Sequence, residues 1–496
     1  MKNKSATDQW VKTTTVTELK STMGKFELNN FRQNSDPGEW CAFLVPLCFF
    51  VSCLMNNYTL QVQDVLVLTL SAFLTMSSLS LWYRIKRDVN NNLVKTSSEK
   101  KKSPRRNNES NALYPLALLG LSLIVVFMVS GLNLSSLITV LGYVAYRKYL
   151  PMLFSKFPGS FTFGEGCMAL QATTLFVVHT LTKLMNHVYH PMYTNESFVL
   201  IAQIILLSEG LLFVSPSIPG LSWTKCPTFF YAASIVLGGS LTFPMLTRIL
   251  RMDPISFVVS YIISSKSVVK LVLLWLLLVI FALDIVRKKL DASSKATTSE
   301  RKLFHALVVI VMVSGLHMDP EFTNFASLVV LAAFIYVEYI RSYDIRPISK
   351  LINGAFAKFT DEKDQGSLVL TNIYLLIGTF LPLWITPEAK SVNKLILLSG
   401  VLSIGIGDSA ASIVGSRMGH LKWPYSPTKS IEGTVASIIA QLVFLQLLFL
   451  NNFIEYQFGL GVLLPVILTA LLEAHTTQVD NIILPLTMYF LFNVML

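Results

Sequence analysis

The chain has 496 residues, 53% hydrophobic and only 14% charged, yet its formal net charge is +11. A soluble domain is about 25% charged. The composition therefore excludes a soluble domain, a disordered tail and a nucleic-acid binder, which would be polar and basic together. What remains is an all-α, polytopic transmembrane helix bundle whose charge reports topology.

Residues 1–39 are polar and hold no apolar run, so they read as a cytosolic tail rather than a cleavable signal. A membrane helix needs about 20 apolar residues. Spans are expected near 40–56, 65–83, 113–132, 133–146, 166–185, 198–215, 228–247, 267–286, 303–318, 325–340, 367–385, 393–415, 433–450, 458–473 and 481–496, about fifteen in all. The segment 254–263 is apolar but short, as a re-entrant or interfacial piece would be. The expected organisation is the tail 1–39, an N-terminal membrane region 40–286 with a basic loop at 84–112, and a catalytic membrane domain 287–496. The five cysteines show no ligand spacing and read as buried, inert thiols.

Segment 84–109 has nine Lys and Arg against three acids, which places it in the cytosol. Counting from it puts the N-terminus and the connections 147–165, 287–302, 341–366, 416–432 and 474–480 in the cytosol, and the C-terminus in the lumen. The sequons at Asn57 and Asn195 become lumenal, while that at Asn108 stays cytosolic and unused. Arg248 and Arg251 fall on the lumenal side, against the count.

Ionisable residues within membrane segments mark function by default, and here they gather in the last two hundred positions. Arg301, Lys302 and His305 stand at the mouth of one span. The stretch Gly405-Ile406-Gly407-Asp408-Ser409-Ala410-Ala411-Ser412, continuing to Gly415 and Gly419, combines small residues with a carboxylate that needs a cation beside it. The loop Lys422 to Thr434 carries Trp423, Tyr425, Thr428, Lys429, Ser430, Glu432 and Gly433. Backbone N–H groups at the start of a helix, with a lysine beside them, suit a phosphate. Trp423 and Tyr425 suit either stacking on a base or anchoring at the interface. Glu473 to Asn481 is a polar interruption between two apolar spans, and Asp480 and Asn481 offer hard oxygens. Carboxylates for a divalent cation, a lysine on a glycine-bounded loop and an apolar surrounding are the parts of phosphoryl transfer to a lipid.

In order and spacing, Arg301-Lys302-Leu303-Phe304-His305, Gly407-Asp408-Ser409-Ala410-Ala411-Ser412, Thr428-Lys429-Ser430-Ile431-Glu432-Gly433-Thr434 and Glu473-Ala474-His475-Thr476-Thr477-Gln478-Val479-Asp480-Asn481 resemble the dolichol kinases. These belong to the wider group of polyprenol and phytol kinases, related to the CDP-diacylglycerol synthases. Phe161-Thr162-Phe163-Gly164-Glu165 is similar to a stretch of the eukaryotic dolichol kinases. The resemblance implies CTP-dependent phosphorylation of dolichol at the endoplasmic reticulum membrane, with the active site facing the cytosol. The product, dolichyl phosphate, would serve protein glycosylation, mannosylation and GPI-anchor synthesis. A CTP loop would fall at about 418–433, with Ser430 where the family usually has Thr. Asp408 and Asp480 would hold Mg2+ or another divalent cation, with Glu432 second in line. Lys429 would neutralise the β- and γ-phosphates. Gly407, Gly415, Gly419 and Gly433 would let phosphate approach the backbone. Ser409, Lys422, Trp423, Thr428 and Ser430 would complete the nucleotide site. Arg301, Lys302, His305, Glu473, Gln478 and Asn481 would support it. Two competing readings are a cytidylyltransferase making a CDP-lipid, whose Asp-Arg-x-Asp ending is absent, and a transporter, whose inverted repeat is not seen.

Overall fold

The computed structural model describes residues 30–32, 35–55, 62–97, 121–122, 124–128, 131, 133–189, 196–217, 221–292, 294–360, 363–364, 366–386, 392–424, 426–455 and 459–496. Residues 1–29, most of the basic loop, Tyr425 and the sequons at Asn57, Asn108 and Asn195 lie outside the described residues.

The described chain is helical apart from one small ribbon. The helices are α1 (Leu44–Met55), α2 (Val62–Ser97), α3 (Leu134–Lys156), α4 (Phe163–Tyr189), α5 (Glu196–Val214), α6 (Pro227–Ile235), α7 (Phe243–Leu250), α8 (Pro254–Ser264), α9 (Lys266–Asp291), α10 (Thr298–Met318), α11 (Pro320–Ser342), α12 (Ser349–Phe359), α13 (Thr371–Ile385), α14 (Lys394–Leu397), α15 (Ser409–Met418), α16 (Ile431–Leu450), α17 (Leu460–His475) and α18 (Asp480–Met495). Two wide π turns, Val236–Thr242 and Val401–Asp408, join α6 to α7 and lead into α15. The expected loop at 422–434 is instead an antiparallel ribbon, β1 (Lys422–Trp423) and β2 (Ser426–Ser430), which pairs Lys422 with Ser430.

By length and composition, six described segments can cross a membrane: Asp64–Arg87, Pro227–Leu250, Lys266–Asp291, Thr298–Met318, Pro320–Ser342 and Ile431–Leu450. Shorter apolar helices, among them α8, α13, α17 and α18, accompany them. A 16-residue helix is about 24 Å long, less than the roughly 30 Å hydrocarbon core, so these shorter helices do not each qualify alone. Leu276, Leu277, Ile280, Phe281 and Leu283 of α9 are exposed. Such a continuous apolar surface suits lipid rather than water.

The chain divides into two compact units. The units divide near residue 178, and α5, which packs along α11, belongs with the C-terminal helices. In the first unit (1–46, 61–178 and 365–368), Thr162 and Glu165 cap the start of α4: Glu165 N–H donates to Thr162 Oγ1, and Thr162 N–H donates to the Glu165 carboxylate. The same carboxylate accepts from Arg32 at 2.6 Å, with both side chains buried. Gly164 N–H donates to the Pro37 carbonyl, and a methyl at Gly164 would overlap the Gly38 carbonyl oxygen. The Phe161–Glu165 motif is therefore a helix start that fastens Arg32 and Pro37.

In the second unit (47–60, 179–364 and 369–496), α13, α18 and the π turn at 401–408 pack closely. Glycines permit this: a methyl at Gly378 would overlap the Asn481 carbonyl oxygen, and one at Gly400 the Gly378 carbonyl. Cys41, Cys48, Cys53 and Cys167 are buried, while Cys226 is exposed.

Candidate functional site

Asp408 ends the π turn, a distortion that inserts an extra residue and re-aims side chains. The Ser409 hydroxyl spans this wide turn by donating to the Ile404 carbonyl at 3.3 Å. Asp408 is buried and forms an ion pair with Lys302, and His305 Nε2 stands 4.0 Å from the same carboxylate oxygen. Lys302 and His305 are presented by the first turns of α10, which starts at a capping box between Thr297 and Glu300. The His305 ring also bonds the Arg301 carbonyl, one turn back, at 3.3 Å.

The ribbon delivers Lys429. Its base is closed by Glu432, whose carboxylate accepts the N–H groups of His420 at 3.0 Å and Leu421 at 2.9 Å. Ile431 N–H adds a bond to the Leu421 carbonyl. Ser430 is the N-cap of α16, its hydroxyl accepting Gly433 N–H at 3.2 Å. Either a Ser or a Thr hydroxyl at this position can cap the helix.

Lys429 forms an ion pair with the buried Glu473 in the last turn of α17. Burial alone would lower the pKa of this ammonium. The fields of Asp480, Glu473 and Asp408 outweigh that cost and hold it above its ordinary range, so Lys429 is positively charged at neutral pH. Asp480 opens α18 and pairs with Lys363 at 3.0 Å. The clusters at 301–305, 407–412, 428–434 and 473–481, separate in sequence, thus meet around one lysine.

Other expected residues stand nearby in supporting positions. The Gln478 carbonyl accepts from Lys363 at 2.7 Å, and the Asn481 amide reaches the Thr371 carbonyl at 3.5 Å. Trp423 Nε1 donates to Thr434 Oγ1 at 3.0 Å, and its ring lies 5.1 Å from that of His475. Lys422 Nζ reaches the Thr428 carbonyl at 3.4 Å, on the exposed face of the ribbon.

Glu432 is engaged by two backbone N–H groups at the base of the ribbon. The glycines also have neighbours of their own. A methyl at Gly407 would press on Gln441 Nε2, one at Gly415 or Gly419 on Ser430, and one at Gly433 on the Ala411 carbonyl. Among the described residues, no three His, Cys, Asp or Glu side chains are drawn together as a metal-binding group. Asp408, Glu473 and Asp480 are each paired with a lysine. Lys363 was not anticipated from the sequence. It sits in an ordinary charged connection, 360–365, with no motif around it.

A dolichol kinase family model matches residues 111–440. That range includes Lys302, Lys363, Asp408 and Lys429 and stops before Glu473 and Asp480. Dolichol kinase of Bos taurus is 32% identical over 73% of this chain and 71% of its own length. Dolichol kinase sec59 of Schizosaccharomyces pombe is 30% identical over 67% and 68%. A probable chloroplastic phytol kinase 2 of Oryza sativa is 32% identical over 19% of the chain and 34% of its own length. No solved structure matches the chain. With its family match spanning most of its length and relatives aligned over more than two thirds of theirs, the chain belongs to the dolichol kinase family.

Proposed function

We propose that this protein transfers the γ-phosphoryl group of CTP to the terminal hydroxyl of dolichol at the endoplasmic reticulum membrane, from a site that faces the cytosol. The observation that carries the proposal is Lys429, a cation presented by a ribbon, paired with Glu473 and in the field of Asp408 and Asp480. Phosphoryl transfer rests mainly on positioning and charge neutralisation, and these residues supply both signs of charge at one place. Helices with lipid-facing apolar surfaces suit an acceptor as hydrophobic as a polyprenol. In this topology about fifteen apolar segments cross the membrane and leave the ribbon on the cytosolic side.

The alcohol oxygen bonds to the γ-phosphorus as the β–γ bridging bond breaks, leaving CDP. The alcohol proton passes to a carboxylate oxygen of Asp408 or Asp480. Lys429 leaves Glu473 to meet the β- and γ-phosphates, while Lys302 and His305 hold Asp408 in place. The donor set fits Mg2+: all candidate ligands are hard carboxylate oxygens, and Asp480 Oδ1 is buried with no hydrogen-bond partner among the described residues. Asp408 and Asp480 would hold the ion, and Glu432 would keep its structural bonds. When bound, the ion would neutralise phosphate charge.

Purified protein given dolichol, CTP and Mg2+ should form dolichyl phosphate and CDP in equal amounts. Release of pyrophosphate with a cytidylylated lipid, or no lipid product, would overturn the proposal.

A further inference from the structure

The connection between α12 and α13 is built more firmly than a plain linker. Asp364 Oδ1 accepts the N–H groups of Leu370 at 3.0 Å and Thr371 at 3.3 Å, and its Oδ2 accepts the Thr371 hydroxyl at 2.7 Å. One carboxylate thus closes the loop onto the start of α13. A second holds the same stretch: Glu338, buried in α11, accepts Val369 N–H at 2.9 Å and is gripped by both the Nε and Nη2 of Arg341. Lys363 is the residue beside Asp364. Its ammonium donates to the Gln478 carbonyl at 2.7 Å and to Asp480 Oδ2 at 3.0 Å. That leaves Asp480 Oδ1 buried and, among the described residues, without a hydrogen-bond partner. A lysine that bonds both the backbone just before a helix and the carboxylate opening that helix fixes the carboxylate's rotamer. It keeps one oxygen occupied and the other available.

We propose that Lys363 is a positioning residue: it orients the Asp480 carboxylate for phosphoryl transfer, and Asp364 and the Glu338–Arg341 pair hold it there. The inference rests on the function proposed above and adds to it a residue outside the four motif clusters. It also divides the site's lysines. Lys429 moves to the phosphates, whereas Lys363 stays on Asp480.

Lys363→Met should lower kcat by about 10- to 100-fold, the scale of a misplaced reacting group, with the KM for CTP changed less than about 3-fold. Lys363→Arg should recover kcat to within about 5-fold of the parent, because it keeps a cationic donor. In an Asp480→Asn background, Lys363→Met should cost less than about 2-fold more, since residues that act as a unit are not additive. Four outcomes would overturn the inference: an unchanged kcat in Lys363→Met, a loss confined to the KM for CTP, no recovery in Lys363→Arg, or the same loss in both backgrounds. The melting temperatures of the parent, both single variants and the double variant test the pair without turnover. The double variant should melt higher than the sum of the single effects, and strict additivity would count against the pairing. If the parent makes no dolichyl phosphate, the functional proposal fails, while this thermal cycle still decides whether Lys363 and Asp480 act together.

Discussion

At the scale of single residues, the site is a set of carboxylates each matched to a lysine: Asp408 with Lys302, Glu473 with Lys429 and Asp480 with Lys363. Removing one partner of a buried pair leaves a charge uncompensated, whereas an isosteric neutral residue keeps shape and hydrogen bonding. Asp408→Asn should therefore stay folded in the membrane while turnover falls by about 10²–10³-fold or more; near-parental activity would remove Asp408 from the reaction. Lys429→Gln should cost a similar roughly 10²–10³-fold. Kinetics across a CTP titration check this, and an unchanged kcat/KM would mean that the lysine serves only to pair with Glu473. The acids at 408 and 480 were legible in the sequence because a carboxylate in apolar surroundings demands a partner. Lys363 was not legible, because a lysine in a polar connection looks like any solvated lysine and only the fold sets it against Asp480.

Among elements, the π turn before α15 and the ribbon before α16 do the placing. The sequence showed where both lie but not their form. Glycine and serine at 405–412 are compatible with a straight helix, and a loop holding Pro424 and Pro427 gave no strand signal. At Gly378 and Gly400 the backbone of a neighbouring helix already occupies the space a side chain would need. Gly378→Leu should accordingly destabilise the protein by about 1–3 kcal/mol through overpacking against α18, seen as a lower melting temperature; an unchanged one would show that the helices part freely. Ser430→Ala should cost about 1 kcal/mol as a lost N-cap, while Ser430→Thr should retain stability. In the first unit, Glu165→Gln leaves buried Arg32 without its counter-charge. A loss of about 3–5 kcal/mol is expected, and a melting temperature within error of the parent would contradict a structural role for the Phe161–Glu165 motif.

For the whole molecule, composition already pointed to a membrane protein, and the helical architecture agrees. The number of crossings was harder to read. Apolar runs near 16 residues serve equally as short spans or as buried helices, and hydropathy does not separate the two. Compactness divides the chain near 178, because α5 pairs with α11 across more than a hundred positions of sequence. What the molecule does with its +11 charge is also clearer: of the site's cations, Lys302, Lys363 and Lys429 each face an acid, so the local site is balanced although the chain is basic. The central claim is that this balanced site moves a phosphoryl group rather than a nucleotidyl group. The most direct measurement supplies purified protein with dolichol, Mg2+ and CTP labelled separately at the α and γ phosphates. Label from the γ position should appear in the lipid and label from the α position should not; α label in the lipid would contradict the account.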